Sequence, residues 1–164
     1  MHVYDADKRC YWNASFLFGR FDAGAMKLTR YTDYAIRVMI YLGSHEGEIC
    51  SIRQVADAYN ISQNHLMKVV QDLAKAGFVE SIRGRNGGIR LDRPAASINL
   101  GSLLRHTEGL DNILECSSCS IRQGCGMPPI LREATAAFVG VFDRYSVADI
   151  IERKDVLRTL FAAA

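Results

Sequence analysis

The sequence predicts a mainly α fold: a winged helix-turn-helix with a two-stranded wing, followed by a long C-terminal dimerisation helix. Three observations predict it. Apolar residues recur at helical spacing on both sides of a turn residue, Asn60. A glycine-rich turn at 84–88 separates two short runs suited to strands. From Leu131 onward, apolar positions are spaced 3, 4, 3 and 4 residues apart, as in a coiled-coil seam.

The first helix begins near Tyr31 and places Tyr31, Ala35, Val38, Met39 and Leu42 on one face, ending near Gly43. Ser51 is a suitable N-cap for a second helix carrying Ile52, Val55, Ala56 and Tyr59. Asn60 tolerates the left-handed conformation that a tight interhelical turn needs. Ser62 is placed to cap a third helix, with Ile61 and Leu66 as its hydrophobic staple. That helix buries Leu66, Val69, Val70 and Leu73 and stops at Gly77. Strands follow at 79–83 and 89–91, joined by Gly84-Arg-Asn-Gly-Gly. A short helix from about Leu100 to Arg105 leads into an irregular cysteine-bearing loop, 108–126. The last helix is expected from about Pro128 to Tyr145, with Leu131, Ala134, Phe138, Val141 and Tyr145 along its seam. A helix beyond the wing has little of its own domain to cover, so a homodimer contact is the expected use of that seam.

The expected organisation is an extension at 1–25, a winged-helix unit at 26–95, a cysteine-bearing loop at 96–127, and a dimerisation helix with a C-terminal tail at 128–164. Residues before Met26 hold no sustained period, which reads as a disordered extension or as sequence upstream of the true start. The chain has 164 residues and a formal charge of +2, too small to mark a nucleic-acid binder alone. Between Ser62 and Arg90, however, Lys68, Lys75, Arg83, Arg85 and Arg90 face only Asp72 and Glu80, a local positive excess. No apolar run approaches the roughly 18 residues a membrane span requires. The expectation is a cytoplasmic protein, in which cysteines serve metal or redox chemistry before disulfides.

Two helices and a tight turn followed by a hairpin form a unit whose second helix enters the DNA major groove. Gln63, Asn64, His65, Met67 and Lys68 occupy its leading positions. Gln and Asn can pair with adenine, and Lys68 can meet a guanine or a phosphate. Arg83, Arg85 and Asn86 at a wing tip rich in glycine suit the narrow minor groove. Solvated arginines on an ordinary hairpin are the competing reading of the tip; the order of the elements favours duplex DNA.

Cys116, Cys119 and Cys125 lie in Cys116-Ser-Ser-Cys-Ser-Ile-Arg-Gln-Gly-Cys. Three thiolates within one short segment can converge on an iron–sulfur cluster or on zinc. Zinc usually takes four protein ligands, and His106 is the nearest fourth candidate. A redox-active Cys116–Cys119 pair and three free thiols are the other options. Cys10 and Cys50 fit no ligand pattern. No nucleophilic triad or carboxylate pair supports an enzyme, and Gly84-Arg-Asn-Gly-Gly precedes no helix, so it is not a nucleotide loop.

From Met26 to about Phe161 the sequence resembles the Rrf2 family of bacterial winged-helix regulators. The resemblance rests on Leu28-Thr-Arg-Tyr-Thr-Asp-Tyr-Ala, Ser62-Gln-Asn-His-Leu-Met-Lys-Val, the run from Val79 to Leu91, the three cysteines, and Tyr145-Ser-Val-Ala-Asp-Ile. Asn64 to Lys68 favours the nitric-oxide-sensing branch. The resemblance implies a homodimeric repressor with an iron–sulfur cluster on Cys116, Cys119 and Cys125, either 4Fe-4S or, as the other option, 2Fe-2S. It also implies an acidic fourth ligand from the other subunit, at the position of Asp33. Nitrosylation of the cluster would then release the operator. The bland reading of Asp33 is a first-turn residue favoured by the helix dipole. One departure is the two-residue gap between Cys116 and Cys119, shorter than the family's usual gap, which bears on cluster type and on the ease of disulfide formation. Two further readings are a regulator of the same fold responding to iron or cluster supply, and a thiol redox protein using Cys116 and Cys119. A zinc-stabilised DNA-binding module without sensing is a third.

Overall fold

The computed structural model describes residues 27–110 and 116–163; the 1–25 extension and Cys10 lie outside them. Helix α1 (Arg30–Ser44) starts where Thr29 accepts a hydrogen bond from the Thr32 amide, and it buries Ala35, Val38, Met39 and Leu42. Helix α2 (Ile52–Ala58) opens with a complete capping box between Ser51 and Gln54. Asn60 then takes a positive φ of 51°, the left-handed turn expected of it. Helix α3 (Gln63–Lys75) buries Leu66, Val69, Val70 and Leu73, and Gly77 ends it at φ 74°. Each of these fully buried aliphatic chains contributes about 1.5–3 kcal/mol through removal from water.

One expectation fails at the start of α3. Ser62 occupies the N-cap position, but its hydroxyl makes no capping hydrogen bond. The backbone there is held instead by the Leu66 amide bonding to the Ser62 carbonyl and by the Ile61 amide bonding to Ala56.

Strands β1 (Val79–Ile82) and β2 (Gly88–Leu91) pair antiparallel, with Glu80 opposite Arg90 and Ile82 opposite Gly88. Arg83, expected inside the first strand, lies just beyond it in the turn. The hairpin has a third partner: the Cys50 amide donates to the Ile89 carbonyl at 2.9 Å and the Ile89 amide donates back at 2.8 Å. Cys50 is buried at this bridge, and burial pushes its thiol above the ordinary range. That is the state of an inert core cysteine.

Beyond a short 3₁₀ turn at Ala95–Ser97 come α4 (Leu100–Glu108) and α5 (Met127–Phe142). Helix α5 stops three residues short of the expected Tyr145. The Asn99 side chain donates to the carbonyls of Asp143 and Tyr145, the Leu100 amide bonds to Tyr145, and the Val147 amide bonds to Ile98. These bonds pull the chain off its helical track, so Tyr145 lies beyond the helix that carries the rest of the seam.

Where the sequence suggested only a tail, two more helices fold back onto α1: α6 (Val147–Ile150) and α7 (Lys154–Ala162). Gly43 permits the approach, since a Cβ there would meet Ile151 Cδ1 at 2.7 Å. Val147 and Ile151 are fully buried. Helix α1 is thus the hub, touched by α3, α4, α6 and α7. Among the described residues no helix is long and apolar enough to cross a membrane.

Candidate nucleic-acid interface and thiol segment

Helix α3 segregates its faces as docking on a duplex requires. Gln63, Asn64, His65, Met67 and Lys68 are exposed, and Leu66, Val69 and Val70 are buried behind them. The polar members of that leading face make no hydrogen bond or ion pair with other described side chains. Gln71 continues the same exposed face one turn on from Lys68 and escaped the sequence reading, although the i, i+3 spacing pointed to it.

The wing tip places Arg83, Arg85 and Asn86 in the open, on a turn closed by the Gly87 amide bonding to the Gly84 carbonyl at 3.0 Å. Both acids of the basic stretch are already engaged. Glu80 bonds Arg90 across the sheet at 2.7 Å, and Asp72 accepts from Tyr31 and His106. Lys75 lends positive charge to the Asp72 carboxylate, which leaves Lys68, Arg83 and Arg85 as cations without an acidic partner among the described residues, a surface suited to phosphate.

Among the described residues, His106 is paired with Asp72. Its Nε2 lies 2.7 Å from the Asp72 carboxylate, and its ring sits 5.7 Å from Phe78. Hydrogen bonding from the Tyr31 hydroxyl, with a smaller part from His106, holds the Asp72 carboxyl below the usual carboxylate range. Burial, helped by that bond, pushes the Tyr31 phenol upward. The separation of 34 positions between Asp72 and His106 left no local pattern by which sequence could link them.

Cys116 and Cys125 are half-buried and Cys119 is exposed; all three are free thiols. A short turn joins the first two, the Cys119 amide reaching the Cys116 carbonyl at 3.5 Å, and further turns follow, with the Arg122 amide on the Cys119 carbonyl at 3.2 Å and the Gly124 amide on the Ile121 carbonyl at 3.1 Å. Among the described residues no three His, Cys, Asp or Glu side chains gather closely enough to hold a metal ion. The donor chemistry fits an iron–sulfur cluster, because three free thiols share one segment outside the core. Among the described residues, the lone chain does not close a cage around them.

Asp33 sits in the first turn of α1, where both carboxylate oxygens accept from Arg37 Nε at 3.0 Å. The pair is exposed to about two-fifths on each side. An i, i+4 ion pair of this kind contributes only about 0.3–0.5 kcal/mol, so it is a weak competitor for the carboxylate. The Arg37 guanidinium also lies 5.4 Å over the Tyr59 ring. Burial pushes the Tyr59 phenol up to about 12.

Comparison with known proteins gives concordant results. The Rrf2 family, described as "Iron-dependent Transcriptional regulator", matches residues 28–153. The HTH-type transcriptional regulator NsrR of Bacillus licheniformis is 46% identical over 143 residues, covering 84% of this chain and 100% of that protein. Its counterpart of the same name in Bacillus subtilis is 45% identical over 142 residues, covering 82% and 97%. Among solved structures, T. potens IscR superposes with a TM-score of 0.62 at 25% identity, covering 79% of this chain and 88% of that one. The oxidized form of Staphylococcus aureus CymR superposes with a TM-score of 0.58 at 28% identity, covering 74% and 93%. Similarity that runs from the start of α1 past α6, and spans nearly the whole of its curated relatives, fixes the assignment: this chain belongs to the Rrf2 family of iron-dependent transcriptional regulators.

Proposed function

We propose that the protein is a homodimeric repressor in which an iron–sulfur cluster governs operator binding and nitric oxide is the signal. The observation that carries this reading is the set of three free thiols in one segment outside the core, Cys116, Cys119 and Cys125. Iron dependence belongs to the description of the family, and identity of 41–46% to regulators named NsrR supports the branch. The nitric-oxide signal and Asp33 as the ligand supplied across the dimer rest on the sequence resemblance. A bound cluster, 4Fe-4S in this reading, supplies iron that a small diatomic molecule can attack.

The rest falls to the chain itself. Helix α3 and the wing present hydrogen-bonding and cationic groups to a duplex. Helix α5 supplies the dimer surface: only Val139 is fully buried along it, and Met127, Ile130 and Val141 are 46–59% exposed. Apolar side chains in such number on one helix face favour association with a second copy. An oxygen ligand such as Asp33, weakly held by Arg37, would leave one metal position easier to reach than a fourth thiolate would. Coupling requires only that DNA affinity differ between the two states by about 1–3 kcal/mol.

The test is protein purified without oxygen. It should be brown, contain iron and sulfide, bind its operator, and lose both absorbance and binding on titration with nitric oxide. An iron chelator that released DNA while nitric oxide did not would assign the signal to iron supply. Colourless protein with unchanged DNA binding would refute sensing through a cluster.

A thiol switch is the second reading, favoured by the turn that ties Cys119 to Cys116. The two thiols would form one disulfide, giving two electrons and two protons to a peroxide reduced to water. Mass analysis under non-reducing conditions, showing loss of two hydrogens from the Cys116–Cys119 peptide together with loss of DNA binding, would favour it over the cluster.

A further inference from the structure

Three helices meet at one carboxylate. Asp72, on the half-buried flank of α3, has an Oδ2 that accepts from the Tyr31 hydroxyl on α1 and lies 2.7 Å from His106 Nε2 on α4. Two residues beyond His106, Glu108 accepts from the Thr29 amide at 2.6 Å. The final turn of α4 is therefore bonded to both α1 and α3. Gly109 then ends α4 in the left-handed conformation, seven positions before Cys116 in the sequence.

We propose that Asp72 is the joint that fixes the orientation of the DNA-reading helix, and that His106 is the positioning residue through which the root of the cysteine segment acts on it. Hydrogen bonds to an ionised acceptor are short and strongly directional. Two of them, from separate helices, add a directional constraint at the flank of α3 that the non-directional packing of Leu66, Val69, Val70 and Leu73 does not supply. Base-edge contacts, unlike phosphate contacts, tolerate little displacement. A shift at the end of α4 therefore acts on sequence discrimination first. The positioning role stands on geometry alone; transmission from the cysteines rests on the cluster reading above.

The experiment uses the full chain, metal-free and iron–sulfur-loaded, as wild type, His106→Ala, His106→Gln and Tyr31→Phe. The specific probe is a duplex enriched by the wild-type protein from a random library, compared with a random duplex at fixed salt. In the metal-free form, His106→Ala and Tyr31→Phe are expected to lower the specific-to-random affinity ratio about five- to tenfold. Random-duplex affinity should be unchanged, and His106→Gln, whose amide can reach Asp72, should restore the ratio to within about twofold. A wild-type ratio in both His106→Ala and Tyr31→Phe overturns the positioning role. If His106→Ala fails to fold, Tyr31→Phe and His106→Gln decide the matter. The loaded arm tests transmission: the gap in operator affinity between loaded and metal-free protein should shrink at least threefold in His106→Ala, and an unchanged gap overturns it. Wild-type protein showing no gap refutes the cluster reading and transmission together, and the metal-free arm still decides the positioning role.

Discussion

Phe161 of α7 lies against Tyr41 of α1 with ring centroids 5.0 Å apart, so the last helix closes on the first. Tyr59 meets the same ring edge-on at 5.4 Å, and the Lys154–Glu46 and Arg158–Glu48 pairs, both 2.8 Å, flank the contact. Phe161→Ala should destabilise the chain by about 1–3 kcal/mol, less than a fully buried Phe because Phe161 is half-buried. Lys154→Ala should cost under about 1 kcal/mol, as exposed pairs do. Urea unfolding of the two variants measures the difference, and equal losses would contradict it.

Leu66 is fully buried beneath the exposed start of α3. Leu66→Ala should cost about 2–5 kcal/mol through reduced burial and a residual cavity. Chemical denaturation reads the loss.

The interface predicts two distinguishable kinds of damage. Arg83→Ala or Arg85→Ala should weaken binding to all duplexes alike and lower the salt slope by about 1 for each phosphate the arginine had neutralised. Gln63→Ala or Asn64→Ala should cost about 1–3 kcal/mol against the preferred base and relax specificity there. Affinities measured across salt concentrations and across single-base operator variants separate the two.

Acid should loosen the joints between helices. Asp72 is held low by Tyr31, Asp143 by the Arg105 guanidinium, whose two nitrogens lie 2.6 Å from its oxygens, and Glu46 by Lys154. A carboxylate whose folded pKa is depressed stabilises fully above its unfolded value near 4, and that contribution is lost as pH falls through the folded value. Thermal stability should therefore fall as the pH drops below about 5 and keep falling below the ordinary carboxylate range, and Asp72→Asn should flatten that slope. A slope unchanged in the variant would exclude Asp72 from the effect.

What was legible in the sequence was mostly local. Ser51 with Gln54, the αL residue Asn60, Gly77 and the glycine-rich turn each mark a boundary within a few residues of itself, and 51–91 folds along those marks. The retreat of α5 from Tyr145 was not legible, because Asn99, some 44 residues away, causes it. The docking of α6 and α7 depends on Gly43 meeting Ile151, and the Asp72 joint on side chains from three helices; neither leaves a periodic trace. In the thiol segment, the chemistry was readable from residue type. The arrangement of Cys116, Cys119 and Cys125 was not, since little packing dictates their spacing and, among the described residues, no three ligands converge in the lone chain.

The bridge between Cys50 and Ile89 gives the molecule a fixed gauge. Cys50 immediately precedes the cap of α2, so the root of the wing and the entry to the helix pair are fastened by two backbone hydrogen bonds. The root of the wing is then held at a set distance from the entry to α2, like the hinge of a locked calliper. Lengthening the turn at 84–87 would extend one jaw without moving the other, and the preferred site should change in groove spacing while its base sequence stays the same.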